Sequence, residues 1–204
     1  IPAPDVNTNS KMMDWISEEY CRLTNTRDIN VVTGKTLING GIKGRTEATG
    51  NGIMFSIEKW CELNNFDLQN KSFIIQGFGN VGYHIAEKLQ KSGMRMVGVG
   101  DHTGYMTTDT EIDVSDLHKF LQKHPLSKYS EIQGKFIKSS NITKVTKSEF
   151  LKTPCDIVVL AAKELEVTGE NAGNLNCKLV VEGANGPISM KGDNILSEKN
   201  IPII

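Results

Sequence analysis

Apolar positions recur along the chain with two periods, and the change between them divides it into helices and strands. Near the start, Thr8-Asn9-Ser10 offers helix caps, and Met12, Ile16, Tyr20 and Leu23 follow at helical spacing. A glycine-rich loop over Ile38–Arg45 leads into a second predicted helix, Glu47–Asn64, with Met54, Ile57, Trp60 and Cys61 on its apolar stripe. The period then shortens. Ser72–Ile75 is a compact apolar run continuing to Gln76, followed by a helix starting near Asn80 with Val81, Ile85, Ala86 and Leu89 on one face. Met94–Val99 predicts a second strand, Asp113–His124 a helix stopped by Pro125, Asp156–Leu160 a third strand and Lys178–Val181 a fourth. Lys135–Lys147 is polar and predicted irregular, with room for one short strand; Ser189–Lys199 predicts a last helix and Ile201–Ile204 a last strand. Strands apolar on both faces, alternating with amphipathic helices, predict an α/β fold of β-α units on a doubly wound, mostly parallel sheet with helices on both faces. The two N-terminal helices precede the first strand and are expected to pack on its flank.

The predicted first strand runs straight into Gln76-Gly77-Phe78-Gly79-Asn80-Val81-Gly82. Glycines in the pattern G-x-G-x-x-G are a weak signal alone, but strand before and helix after are the setting of a dinucleotide loop. Gly77 suits a tight turn, Gly79 lets backbone approach a pyrophosphate, and Gly82 lets helix and strand pack closely. The helix N-terminus offers free N–H groups and partial positive charge to phosphates. The next strand ends at Asp101, roughly twenty positions beyond Gly82, where a carboxylate accepts from the adenosine ribose hydroxyls. That carboxylate would repel a 2′-phosphate, which favours NAD as cofactor; His102 and Thr103, next along, leave NADP open.

Composition narrows the alternatives. The 204 residues are 38% hydrophobic and 23% charged with a formal net charge of -1, so nothing marks a nucleic-acid or anionic-membrane surface. No apolar run approaches the roughly 20 residues that span a bilayer. The N-terminus carries no signal peptide, and the absence of an initiator Met predicts a chain cut from something longer. Cys21, Cys61, Cys155 and Cys177 lack C-x-x-C spacing and are expected to be free buried thiols in a reducing compartment. The four histidines are scattered and no metal site is expected.

Four segments together resemble one family. Pro2-Ala3-Pro4-Asp5-Val6-Asn7-Thr8-Asn9, Gly40–Gly50 with its Gly44-Arg45-Thr46-Glu47-Ala48-Thr49-Gly50, the glycine loop itself, and Glu182-Gly183-Ala184-Asn185-Gly186-Pro187 stand in the order seen in the cofactor-binding half of hexameric glutamate dehydrogenases. The resemblance covers essentially the whole chain and implies a Rossmann variant with one reversed strand. One dinucleotide-binding domain is expected over residues 1–204, with 1–65 as helices and hinge, the substrate domain being absent. By the same resemblance, Asp5 is the catalytic aspartate that moves protons during imine formation and hydrolysis; without it, Asp5 reads as a turn residue or helix cap after proline. Arg45 corresponds to an arginine near the substrate, its guanidinium suited to a carboxylate or equally to a structural ion pair. Thr49 corresponds to the threonine bonding the nicotinamide carboxamide. Gly77, Phe78, Gly79, Asn80, Val81 and Gly82 hold the cofactor, with Asn80 also suited to an N-cap. Ala161 and Ala162 pass the nicotinamide ribose, although Lys163 departs from the family's usual Leu or Ser there. Asn171 lies near the nicotinamide end, and Asn185 bonds its ribose.

The implied reaction is oxidation of L-glutamate to 2-oxoglutarate and ammonia with hydride passing to NAD(P), in a homo-hexamer when full length. Cytoplasm is the expected compartment, with the mitochondrial matrix also open. The family's catalytic lysines lie on an upstream glycine-rich segment that nothing here matches, so this chain alone is expected to bind cofactor without turning over glutamate. Branched-chain or aromatic amino-acid dehydrogenases, and a non-catalytic dinucleotide-binding regulatory module, are the alternatives.

Overall fold

The structure, a computed structural model, describes residues 1–5, 7–132 and 141–204, with backbone only at 130–132. It divides into two compact units, Ile1–Ala48 and Thr49–Ile204.

In the first unit, α1 (Ser10–Thr24) begins where the Asn9 side chain accepts from the Lys11 and Met12 amides, and ends at Asn25 in the left-handed conformation. Its buried residues are Met13 and Ser17. Ile16, Tyr20 and Leu23, on the predicted stripe, stay exposed, because helical spacing aligns apolar side chains without supplying a surface to cover them. Short 3-10 turns at Ile29–Val31 and Leu37–Asn39 follow.

The second unit holds all but the first residue of α2 (Ala48–Asn64), then β1 (Ser72–Gln76), α3 (Asn80–Lys91), β2 (Arg95–Asp101), β3 (Gly104–Thr107), α4 (Val114–Leu121), β4 (Thr143–Val145), α5 (Lys147–Leu151), β5 (Ile157–Leu160), β6 (Leu179–Glu182) and α6 (Met190–Glu198). The six described strands form one sheet in the order β4-β3-β2-β1-β5-β6. Strands β2, β1, β5 and β6 are mutually parallel, while β3 runs antiparallel to both its neighbours and is the reversed strand. From β1 the chain winds first toward β2 and later, through β5 and β6, the other way. The crevice between β1 and β5 is therefore a topological switch point.

Alternation along the strands fills both faces. Phe73, Ile75, Ile157, Val159, Leu179 and Val181 enter one core with Met54 and Ile57 of α2 and Ile85 and Leu89 of α3. Ile74, Val158, Leu160 and Val180 enter the other with Phe150 and Leu151 of α5 and Leu196 of α6. Each fully buried aliphatic side chain contributes about 1.5–3 kcal/mol. A register shift between Phe73 and Ile74 marks a bulge in β2 at Val97, so that Met96 and Val99 share one face while Gly98 and Gly100 turn to the other. A Cβ on Gly98 would press on Ile74 and Phe150, and one on Gly100 on the Tyr105 ring.

Three differences from the sequence-based expectations follow from local chemistry. β3 is a short strand closing a two-residue hairpin after β2. α5 is fixed by a capping box, with Thr146 Oγ1 accepting from the Glu149 amide at 3.2 Å and the Glu149 carboxylate accepting from the Thr146 amide at 2.7 Å. The segment Ile201–Ile204 pairs with β6 through the parallel bridge Val180↔Ile203 and through Val180 N donating to Pro202 O, Ile204 N to Val180 O and Glu182 N to Ile204 O at 3.0, 3.1 and 2.8 Å, a pairing too short to count as a full strand. The expectation for residues 135–140 lies outside the described residues; the remainder of that segment holds β4.

The four cysteines are free. Burial pushes the Cys177 thiol up to about 11 and the Cys155 thiol higher still. No described helix is long and apolar enough to cross a membrane.

At the strands' N-terminal edge, Asp156 accepts from the Ser72 amide at 2.9 Å and pairs with Lys178 Nζ at 3.0 Å. Burial pushes its carboxyl up, but the bonds from Ser72 and the Lys178 charge prevail and hold it below the usual 3.8. A lowered carboxylate stabilises the fold above its unfolded value, and this contribution disappears as pH falls through the folded value. Asp156→Asn is therefore expected to lower stability by about 1 kcal/mol at pH 7. The gap from the parent should close as pH falls below 3.8, read from urea unfolding at several pH values.

Candidate functional site

The C-terminal ends of the parallel strands place most of the predicted residues on one edge. Gln76 is in register with Gly100 on one side and Leu160 on the other, and Leu160 with Glu182. The segments after these positions, which carry Gly77, Asp101, Ala161, Ala162 and Asn185, thus converge at the switch point.

Each glycine of the loop has a different reason to be there. Gly77 turns with φ +92°, a left-handed value that L side chains rarely adopt. A Cβ on it would lie 2.5 Å from the Ala162 nitrogen and closer to the Ala161 carbonyl. The turn is pinned on both sides, by Gly77 N donating to Gly100 O and Ala161 N donating to Gln76 O, each at 2.7 Å. Gly82 is buried, and a Cβ there would fall 2.9 Å from the Gly77 carbonyl carbon and closer to its oxygen. These two glycines are required by the protein's own packing.

Gly79 differs. It caps α3 with φ −81° and ψ −158°, extended values open to any residue, and a Cβ on it would meet nothing within 4 Å. Within the described fold nothing excludes a side chain here; only a group arriving from outside would need the space. As the cap of α3, Gly79 offers no side chain to bond the helix's first amides. This cradle fits a phosphate-bearing dinucleotide. Asn80, considered as an N-cap, is the first helical residue, and Gly79 takes the cap. Phe78 and Val81 are partly buried against the α2–α3 core.

Asp101 forms the corner of the β2–β3 hairpin. Its Oδ1 accepts from Thr103 N at 2.6 Å, Thr103 Oγ1 at 2.7 Å and Gly104 N at 3.2 Å. Among the described residues Oδ2 accepts no hydrogen bond, so one oxygen aims the carboxylate while the other stays available. Beyond β6, Gly183 N and Ala184 N both donate to Leu160 O, at 2.8 and 2.9 Å, which draws the Asn185 turn against the Ala161 segment. Asn185 itself is exposed.

Thr49 stands exposed in the first turn of α2, placed by Gly50, whose own Cβ would lie 2.7 Å from His84 Cβ on α3. Asn171 is otherwise engaged: its Oδ1 accepts from Thr168 N at 2.7 Å and its Nδ2 donates to Glu166 O at 3.0 Å, closing the loop it sits on. Asp5 and Arg45 belong to the first unit. Both are exposed; the Asp5 amide donates to Thr8 Oγ1 at 2.7 Å, and Arg45 lies in a turn closed by its amide on Ile42 O at 3.3 Å.

Sequence patterning does not reveal a buried polar network below the crevice. Gln76, 1% exposed, donates from Nε2 to Glu166 Oε2 at 2.6 Å and to Tyr105 OH at 3.2 Å. Glu166, 4% exposed, also pairs with Lys147, while Lys163 Nζ approaches its Oε1 at 3.9 Å. Gln76 Oε1 is buried without a hydrogen-bond partner among the described residues. A charged residue two beyond Glu164, between Leu165 and Val167, is the one available signal.

Residues 40–204 match the Glutamate/Leucine/Phenylalanine/Valine dehydrogenase family. The chain belongs to this family. It is 36% identical over 204 residues to the cryptic catabolic NAD-specific glutamate dehydrogenase GudB of Bacillus subtilis, covering 100% of this chain and 45% of that one. It is equally 36% identical over 204 residues to the NADP-specific glutamate dehydrogenase of Saccharolobus shibatae, covering 100% and 46%. Among solved structures, the hetero-hexameric glutamate dehydrogenase of Thermus thermophilus superposes with a TM-score of 0.81 at 27% identity, covering 99% of this chain and 45% of that one. The chain thus spans about half the length of the curated dehydrogenases it matches. Relatives with either cofactor preference agree with a nicotinamide dinucleotide without selecting between NAD and NADP.

Proposed function

We propose that this chain is the NAD-binding part of a glutamate dehydrogenase that oxidises L-glutamate to 2-oxoglutarate and ammonia, and that by itself it binds the dinucleotide without turnover. The observation that carries the reading is Gly79, whose missing side chain serves nothing within the described fold but leaves the α3 N-terminus open to a pyrophosphate.

When bound, the cofactor supplies hydride acceptance at its nicotinamide ring. The residues around it bind and orient. The α3 amides receive phosphate charge, and Gly77 and Gly82 hold strand and helix close enough for those amides to converge. Asp101 Oδ2 accepts from ribose hydroxyls, which favours NAD because a 2′-phosphate would meet the carboxylate. Ala161, Ala162 and Asn185 line the nicotinamide ribose, and Thr49 takes the carboxamide. Asn171 supports this end by shaping its loop. Asp5 passes protons to and from the substrate nitrogen, and Arg45 offers its guanidinium to a substrate carboxylate. Glutamate is preferred over other amino acids on the Glu182–Pro187 segment and on the glutamate dehydrogenases among the relatives. Assembly into a hexamer in the full-length protein follows from the same kinship.

Calorimetric titration of the 204-residue chain tests the binding role. NAD is expected to bind at least about tenfold more tightly than NADP, a difference of about 1.4 kcal/mol, and Asp101→Ser should narrow the gap. Adding glutamate and NAD should produce no NADH above background. Failure to bind either dinucleotide would sink the reading, and glutamate-dependent NADH formation would overturn the assignment of an incomplete active site. An amino-acid panel on a polypeptide that also contains the substrate domain separates glutamate from branched-chain and aromatic substrates.

A further inference from the structure

We propose that Gly34 is a positioning residue for Asp5, holding the Pro2–Asp5 segment by a contact that only glycine permits. The proposal rests on the proton-transfer role of Asp5 stated above and deepens it.

Asp5 is exposed, and its place is set through its backbone. On its C-terminal side, the Asp5 amide donates to Thr8 Oγ1 at 2.7 Å, while Thr8 N and Oγ1 donate back to Asp5 O at 3.1 and 3.0 Å. Asn9, next in the chain, caps α1. On the N-terminal side the anchor comes from a distant segment. Thr33 N donates to Pro2 O at 2.9 Å, and Gly34, at φ +71°, lies so close to Pro4 that a Cβ would fall 2.6 Å from its Cγ and closer to its Cδ. The proline ring occupies the place of the missing side chain.

The anchoring segment is itself braced. Lys35 is 9% exposed, and its Nζ donates to Ile29 O at 2.8 Å and Val32 O at 2.6 Å. Asp14 of α1 accepts from Thr36 N at 2.9 Å and Thr36 Oγ1 at 2.7 Å. Residues 33–36 are thus tied to the helix that Asn9 begins, and Asp5 sits between two fixed points of one frame. A carboxylate that must meet a substrate nitrogen gains from such placement, since a displacement of about 1 Å can cost about a hundredfold in rate.

Amide hydrogen exchange on the 204-residue chain tests the contact without needing activity. Gly34→Ala is expected to raise exchange at Thr33 and Asp5 by about tenfold or more, leaving the α3 amides at their parent rates. Pro4→Ala removes the ring atoms that the new Cβ would meet and should loosen the same two amides moderately. The double variant loses the clash but keeps an alanine at φ +71°, so it should exchange faster than Pro4→Ala alone but more slowly than the two single effects combined. Additive losses in the double variant, or unchanged Thr33 and Asp5 amides in Gly34→Ala, would overturn the proposal. If Gly34→Ala unfolds the chain, a double variant more stable than Gly34→Ala supports the contact, and one no more stable overturns it, since the strain at φ +71° is common to both. In a polypeptide that also contains the substrate domain, Gly34→Ala should lower kcat about tenfold with KM for NAD within about twofold, while Asp5→Asn abolishes turnover. Full activity of Asp5→Asn would remove the proton-transfer reading and leave the exchange result to decide the positioning.

Discussion

Gly82→Ala is expected to destabilise the chain and weaken dinucleotide binding, whereas Gly79→Ala is expected to weaken binding alone. The added Cβ at Gly82 would meet the Gly77 carbonyl, its carbon at 2.9 Å and its oxygen closer. Neither side can yield easily. Gly77 is held by its bond to Gly100 O at 2.7 Å and by the Ala161–Ala162 backbone behind it. The N-terminus of α3 must then lift from β1, at a cost of about 1–3 kcal/mol for overpacking, and the amides that would receive phosphate move with it. At Gly79 the Cβ meets nothing within 4 Å and the backbone is extended. Stability there should hold or rise by about 0.4–1 kcal/mol as the unfolded chain loses freedom. The methyl group would nevertheless stand where a pyrophosphate must approach, raising Kd about tenfold or more, equivalent to about 1.4 kcal/mol. Thermal melts and NAD titrations of both variants separate the effects. Parent-like NAD affinity in Gly79→Ala would remove the reason for a glycine at that position.

The parts of the fold legible in the sequence are those whose signal is local. β1, α3 and β2 read directly from a change of period around Gln76–Gly82, because a strand buried on both faces must be apolar throughout and a covering helix must not be. β3 does not read this way. Gly104-Tyr105-Met106-Thr107 is too short for its alternation to stand out, and it forms because β2 already offers an edge to pair with. The same hairpin changes the picture of Asp101, a carboxylate visible in the sequence but with one oxygen committed to its own turn. α5 is legible in principle from Thr146-Lys147-Ser148-Glu149, a capping box four letters long. The spacing of Met12, Ile16, Tyr20 and Leu23 marks α1 as a helix but not its buried side, which depends on what lies opposite. Least legible is the meeting of Gln76 with Glu166, ninety positions apart. Only the sheet order, with β5 beside β1, brings them together.

That meeting gives the second large effect. Glu166→Ala is expected to cost about 2–4 kcal/mol, a large share of the roughly 5–15 kcal/mol that holds a domain together. The loss falls unevenly. Lys147 is 40% exposed and can return its ammonium to water, so its pairing contributes little to the difference. Gln76 cannot follow. At 1% exposure, with Oε1 already unpartnered among the described residues, it would lose the acceptor of its 2.6 Å bond inside the sheet's covered face. Tyr105 OH, at 3.2 Å, would remain as the sole partner of Gln76 Nε2 among the described residues. Glu166→Gln keeps an acceptor for Gln76 and should cost about 1 kcal/mol. Removing both polar ends together, Gln76→Leu with Glu166→Met, should cost less than Glu166→Ala alone, because no buried donor is then left without an acceptor. Urea unfolding of the three variants measures the order. A Glu166→Ala chain within about 0.5 kcal/mol of the parent would mean that water reaches Gln76 and that the network is not sealed. The expected order instead makes Glu166 the residue that lets a polar side chain end β1 at the very point where the glycine turn begins.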